Sequence, residues 1–128
     1  MTARSAAWIF ALMIAVVVVF QFALAFGAPW GRFAMGGAFP GTYPLPMRLA
    51  ALVQIGALLA MALVVLSRAS LTLPAWRAVS IKLVWGVVVL AGVAVMLNLI
   101  TPSPLERLIW TPVAFVLFVA AFRVAMSR

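Results

Sequence analysis

The sequence predicts an all-α polytopic membrane protein, a four-transmembrane-helix bundle with a structured Gly/Pro-rich loop between helices 1 and 2. Three observations carry this. The 128-residue chain is 69% hydrophobic and 8% charged, far from the roughly 45–50% apolar and about 25% charged usage of soluble domains. Its apolar residues fall in long uncharged runs, and about 20 such residues cross a bilayer as a helix. The runs are continuous rather than alternating, which favours helices, whose backbone hydrogen bonds close internally, over a membrane barrel.

The first run, Ala6 to Phe26, follows Arg4 and ends near the small residues Ala23 and Ala25. A secretory signal has a similar outline, but this apolar stretch is longer than a signal core and reads as a retained first helix. Leu49 to Ser67 is the second run. The third is Leu83 to Ile100, with Pro74 suited to the first residue of a helix that passes Trp76 and Lys82 before crossing. Leu108 to Phe122 is the fourth, and the short link Thr101 to Glu106 makes the last two helices antiparallel neighbours. Pro112 should bend the fourth helix below Trp110. Residues 1–128 form a single domain, with no stretch long or polar enough for a second.

The loop from Gly27 to Pro46 holds Gly27, Gly31, Gly36, Gly37 and Gly41 together with Pro29, Pro40, Pro44 and Pro46. Such a density of glycine and proline describes a shaped cap rather than a slack linker. Its aromatic residues suit the head-group interface.

Nine Lys and Arg against one acidic residue give a net charge of +8. In a soluble protein this would suggest nucleic acid; here the cations lie in short loops and tails, where they meet lipid head groups and set orientation. The N-terminus, second loop and C-terminus carry Arg4, Arg68, Arg77, Lys82, Arg123 and Arg128; the first and third loops carry Arg32, Arg48 and Arg107. Six against three predicts a multi-pass protein with both termini cytoplasmic. The chain has no cysteine and no histidine, which excludes disulfides, thiol chemistry, c-type haem attachment and the usual zinc sites. No cofactor or metal site is expected.

Polar residues inside apolar helices mark packing contacts or pathways. Gln21, Gln54 and Asn98 all lie in the outer halves of their helices under this topology. Facing inward, they would form a polar pocket with Arg48, Trp30 and Trp110 beneath the first loop; facing one another, they would only bond helix to helix. The sole acid, Glu106, follows Ser103 at the spacing of a capping box. It can also pair with Arg48, Arg32 or Arg107 and so latch the first loop to the third. Gly56 and Ala60 have the small-xxx-small spacing of close helix approach, and Gly86 and Gly92 thin the third helix.

The segment Gly27 to Gly41 with Pro44 and Arg48, followed by Asn98 to Ser103, Glu106, Arg107, Trp110 and Pro112, resembles a family of uncharacterised small four-helix bacterial integral membrane proteins. The resemblance spans nearly the whole chain and implies the fold and a bacterial inner membrane, but no activity. A looser likeness of architecture links the chain to the sterol-isomerase and sigma-2-receptor-like membrane fold, whose proton-shuttling chemistry would need acidic groups held in the bundle.

The expected function is therefore non-enzymatic: binding or transport of a small anionic or amphipathic molecule through an outer polar pocket. The alternative is an accessory or scaffold subunit of a membrane complex. An enzyme comes third, because without His, Cys, Asp or an embedded Glu the usual nucleophile and base pairs cannot be assembled. The expected partners are membrane lipids, a second copy or another membrane protein, and a small-molecule ligand; nucleic acid is not among them.

Overall fold

The computed structural model of the protein describes residues 1–127. They form four long helices, α1 Ala3–Ala25, α2 Leu45–Arg68, α3 Arg77–Ile100 and α4 Pro104–Ala125. Each is long and apolar enough to cross a membrane, α3 together with the 3-10 turn Pro74–Trp76 that leads into it. The chain is a multi-pass membrane protein.

The helices outrun the apolar runs because their ends are capped. Thr2 accepts from the Ser5 amide at 3.1 Å, and the Ser5 hydroxyl accepts from the Thr2 amide at 3.0 Å; two donors that α1 leaves unpaired are thereby satisfied. Pro46 and Pro104 sit in the first turns of α2 and α4, where a missing N–H costs nothing. The α2–α3 turn is held by the Ser67 hydroxyl, which donates to the Leu73 carbonyl at 3.1 Å. α4 continues through Pro112 as one helix, although the ring removes the N–H that would bond the Leu108 carbonyl.

α1 packs on α2 and α4, and α3 packs on α4 and less extensively on α2, so the helices form a ring in chain order. Core residues recur at spacings of three and four: Ala7, Phe10, Ile14 and Val18 on α1, and Leu117, Ala120, Ala121 and Val124 on α4. The buried cluster is weighted to one end of the bundle, drawing on the start of α1, the end of α2, the start of α3 and the end of α4. Lipid tails are as apolar as these side chains, so close packing of small residues, rather than expulsion of water, holds this end together. Gly92 serves that packing, since a Cβ there would lie 3.3 Å from the Phe118 ring, whereas Gly56 and Gly86 face open space.

Both termini and the α2–α3 turn share this end, called here the termini end. Arg68 is 6% exposed and donates from Nη2 to the Ser127 carbonyl, and Arg123 Nε donates to the Met1 carbonyl at 3.0 Å. Arg128 lies outside the described residues.

The α1–α2 loop closes the other, cap end. It contains two 3-10 turns, Gly31–Phe33 and Met35–Gly37. Its middle folds back on its start: the Gly31 amide donates to the Gly41 carbonyl at 2.9 Å. A Cβ at Gly31 would fall 1.8 Å from the Phe39 carbonyl oxygen and 2.8 Å from that of Gly41, so only glycine allows the two strands of the loop to meet. Gly31→Ala should therefore open the loop at a cost of roughly 1–3 kcal/mol. Thermal unfolding in detergent and limited proteolysis within residues 27–44 measure this, with Ala38→Gly at the exposed loop tip as the silent control.

Candidate functional site

The cap end is fastened by one face of α4. Ser103, Glu106 and Trp110 follow one another at helical spacings of three and four, and each hydrogen-bonds the first loop's backbone. The Ser103 hydroxyl donates to the Arg32 carbonyl at 3.1 Å, Glu106 Oε2 accepts from the Gly36 amide at 2.8 Å, and the Trp110 indole N–H donates to the Phe33 carbonyl at 2.8 Å. Left-handed backbone at Met35, Gly36 and Gly37 (φ 53°, 66° and 77°) turns the chain at this point. A charge-assisted bond to a carboxylate is about twice as strong as a neutral one, so Glu106 is the principal fastener.

Glu106 acts differently from either sequence expectation. Ser103 does cap α4, accepting from the Glu106 amide at 3.3 Å, but Glu106 does not reach back to complete the capping box. Thr101, which is 7% exposed, takes that place: its hydroxyl accepts from the Ser103 amide at 3.4 Å and donates to Glu106 Oε2 at 3.1 Å. Among the described residues Glu106 forms no ion pair with an arginine. Arg48 Nε is bound to the Tyr43 carbonyl at 2.9 Å. The Arg32 guanidinium lies 4.8 Å above the Phe33 ring, and Arg107 is exposed. The latch is a carboxylate on a backbone N–H, which sequence spacing does not reveal because every residue of the loop carries a backbone amide.

The expected pocket residues do not converge. Gln54 is exposed, on the flank of the buried stripe Ala51, Ile55, Ala62 and Val65 of α2, and does not enter the bundle. Asn98 is half-buried and donates to the Ala94 carbonyl of its own helix at 2.7 Å. Gln21 does face the core at 8% exposure. Arg48 lies across the foot of the loop, its guanidinium 3.3 Å from the position a Cβ of Gly27 would take. Trp30 and Trp110 are brought together by Phe20, which stacks on the first at 6.4 Å and tilts against the second at 4.7 Å. These three aromatics lie together where α1, α4 and the loop meet. Concavities of about 420 and 260 Å³ lie elsewhere. The larger is on the outside of α4, by Arg107, Leu108, Thr111 and Pro112; the smaller is beside the α2–α3 turn, by Ser70, Thr72 and Arg77.

Tyr43, the single tyrosine, is 4% exposed beneath the loop and meets the Phe39 ring edge-on at 6.0 Å. Burial pushes its pKa above the ordinary 10.0, and the charge of Glu106 adds to the rise. Among the described residues no cluster of His, Cys, Asp or Glu suited to a metal is present. Searches against family models, curated proteins and solved structures return no match to this chain.

Two outcomes follow from this geometry. Glu106→Gln keeps an acceptor but loses its charge, and should weaken the cap by about 1–2 kcal/mol, the difference between charged and neutral hydrogen bonds. Faster proteolysis within residues 27–44, with the transmembrane helices intact by circular dichroism, is the readout. The raised Tyr43 pKa means the folded state holds this proton more tightly than the unfolded chain. The associated stability is complete below the ordinary tyrosine value and is lost as pH rises through the raised one. Ultraviolet titration of this lone phenol should show the raised pKa in the wild type and a smaller rise in Glu106→Gln, and Tyr43→Phe should remove this part of the alkaline loss of stability.

Proposed function

We propose that the chain is a non-enzymatic accessory or scaffold subunit of a membrane complex, presenting its pinned first loop as a rigid docking surface. The observation that carries this is the three-point attachment of the loop backbone to Ser103, Glu106 and Trp110. A loop held in one shape pays little ordering entropy on binding a partner. It leaves Arg32 and Arg107 exposed at the same end without acidic partners. The sequence holds no His, Cys or Asp from which base and nucleophile pairs are ordinarily built.

The membrane is taken to be a bacterial inner membrane on the strength of the loop resemblance. The cap faces outward because the termini end carries more cations, which favours a cytoplasmic location. A second reading, binding or transport of a small anionic or amphipathic molecule, has in its favour Gln21, a polar side chain turned to the core of the bundle at 8% exposure. Arg48 would supply the cation for an anionic group.

A photo-crosslinking amino acid at position 38 separates the two readings. The scaffold reading expects one discrete protein adduct from the native membrane, lost when Glu106→Gln frees the loop. Native mass spectrometry that finds a retained small molecule, with no adduct from position 38, would overturn it in favour of the second. Orientation is read by impermeant thiol labelling of this cysteine-free chain: Ala38→Cys should react from outside and Ser70→Cys only after permeabilisation, and the reverse pattern would refute the proposed topology.

A further inference from the structure

We propose that the hollow on the outside of α4 is a site for one anionic phospholipid of the cap-side leaflet, with its phosphate on Arg107 and a glycerol ester at Thr111. The hollow, of about 420 Å³, is lined by Pro104, Arg107, Leu108, Thr111 and Pro112. These positions recur at spacings of three and four and so form one stripe of the helix. Leu108 is 74% exposed, so the stripe is turned away from the bundle and toward the bilayer. Proline rings at both ends of the stripe leave space that longer side chains would fill.

Two polar side chains of this stripe point to a ligand. Arg107 is exposed, and the neighbouring Glu106, the only acid of the chain, is engaged by the Gly36 amide and the Thr101 hydroxyl. The guanidinium charge is therefore available to an outside anion. The Thr111 hydroxyl oxygen is buried without a hydrogen-bond partner. A hydroxyl left unpaired in apolar surroundings is costly, and a helical threonine ordinarily avoids that cost by bonding the carbonyl three or four residues back. Thr111 forgoes that bond and keeps a donor for something else.

Depth and charge select the occupant. At ~1.5 Å per residue, Arg107 lies about 4.5 Å along α4 from Pro104, and Thr111 lies about 10 Å along it. In a bilayer whose hydrocarbon core is roughly 30 Å thick, the 22-residue helix places the first at the head-group boundary and the second where the acyl chains begin. A phospholipid presents its groups in the same order: phosphate, then ester carbonyls, then chains. The phosphate meets Arg107 in charge-assisted hydrogen bonds. The Thr111 hydroxyl, turned into the hollow through the other of its two helical χ1 wells, donates to an ester carbonyl, and one acyl chain lies along Leu108 and Pro112. Arg32 is also exposed at this end, and no free carboxylate receives a head-group ammonium, so an anionic head group fits better than a zwitterionic one.

The test uses the full-length protein in phosphatidylcholine liposomes doped with a photoactivatable lipid whose diazirine sits near the glycerol end of one acyl chain. Adducts are mapped along the protein by mass spectrometry. A phosphatidylglycerol probe should label residues 107–112 selectively, and a phosphatidylcholine probe of the same chains should spread over the lipid-facing helices. Arg107→Gln should lower labelling at 107–112 about 5-fold, the worth of one arginine near a membrane surface, and Arg107→Lys should retain most of it. Thr111→Val should lower it roughly 2- to 5-fold, the worth of one hydrogen bond, and Thr111→Ser should not. Arg77→Gln, at the termini end, is the unchanged control. Equal labelling by the two probes, or labelling indifferent to both Arg107→Gln and Thr111→Val, would identify ordinary boundary lipid and overturn the proposal. Loss of labelling on adding inorganic phosphate would overturn it as well, by assigning the hollow to a soluble anion. Loop proteolysis reads the cap and labelling at 107–112 reads the hollow, so the docking surface and the lipid site fail separately.

Discussion

The bond between Glu106 and the Gly36 amide joins two points seventy positions apart in the chain, and the cap end of the bundle depends on it. A loop lying on a transmembrane bundle has backbone donors and acceptors that lipid cannot satisfy. Here α4 satisfies three of them with a single helical face, on which Ser103, Glu106 and Trp110 lie within two turns. Thr101 joins the arrangement by bonding both Glu106 and the Ser103 amide. The only acid of the chain is spent on structure, so the exposed cations at this end have no neutralising carboxylate.

The two ends of the bundle are held by different forces. At the termini end, small and branched side chains such as Ala6, Ala7, Val84, Ala121 and Val124 are fully or almost fully buried, and dispersion between close helices dominates. At the cap end the buried cluster thins out, and α3 has no buried residue beyond Ala91. Aromatic contacts of Phe20 with Trp30 and Trp110, together with the hydrogen bonds of α4, take over there. Substitutions at the termini end should therefore act on helix association, and those at the cap end on loop order.

The intramembrane polar residues have three different surroundings. Asn98 donates to a carbonyl of its own helix, Gln21 is enclosed by the bundle, and Gln54 is exposed. Cost in hydrocarbon is common to all three, but what meets that cost differs. A shared pocket would have required them to point at one another, and the helix phases do not allow it.

The number, type and approximate limits of the helices were legible in the sequence because lipid imposes a length and a composition that continuous apolar runs display directly. The N-cap at Ser103 was legible too, as was the helical start at Pro74, which opens the 3-10 turn leading into α3, since their chemistry is local. The direction each side chain faces was not, because helices apolar on nearly all sides give no periodic signal to mark the inner face. Gln54 and Gln21 look alike in sequence and differ only in helical phase. The partner of Glu106 was equally hidden: sequence identifies a carboxylate and several arginines, but it took the folded loop, with Gly31 closed on Gly41 and left-handed turns at residues 35–37, to bring a backbone amide within reach first. Sequence alone determined that the chain crosses a membrane four times, because solvent dictates that. Tertiary structure alone decided which polar groups are satisfied, because satisfaction depends on distances between residues far apart in the chain.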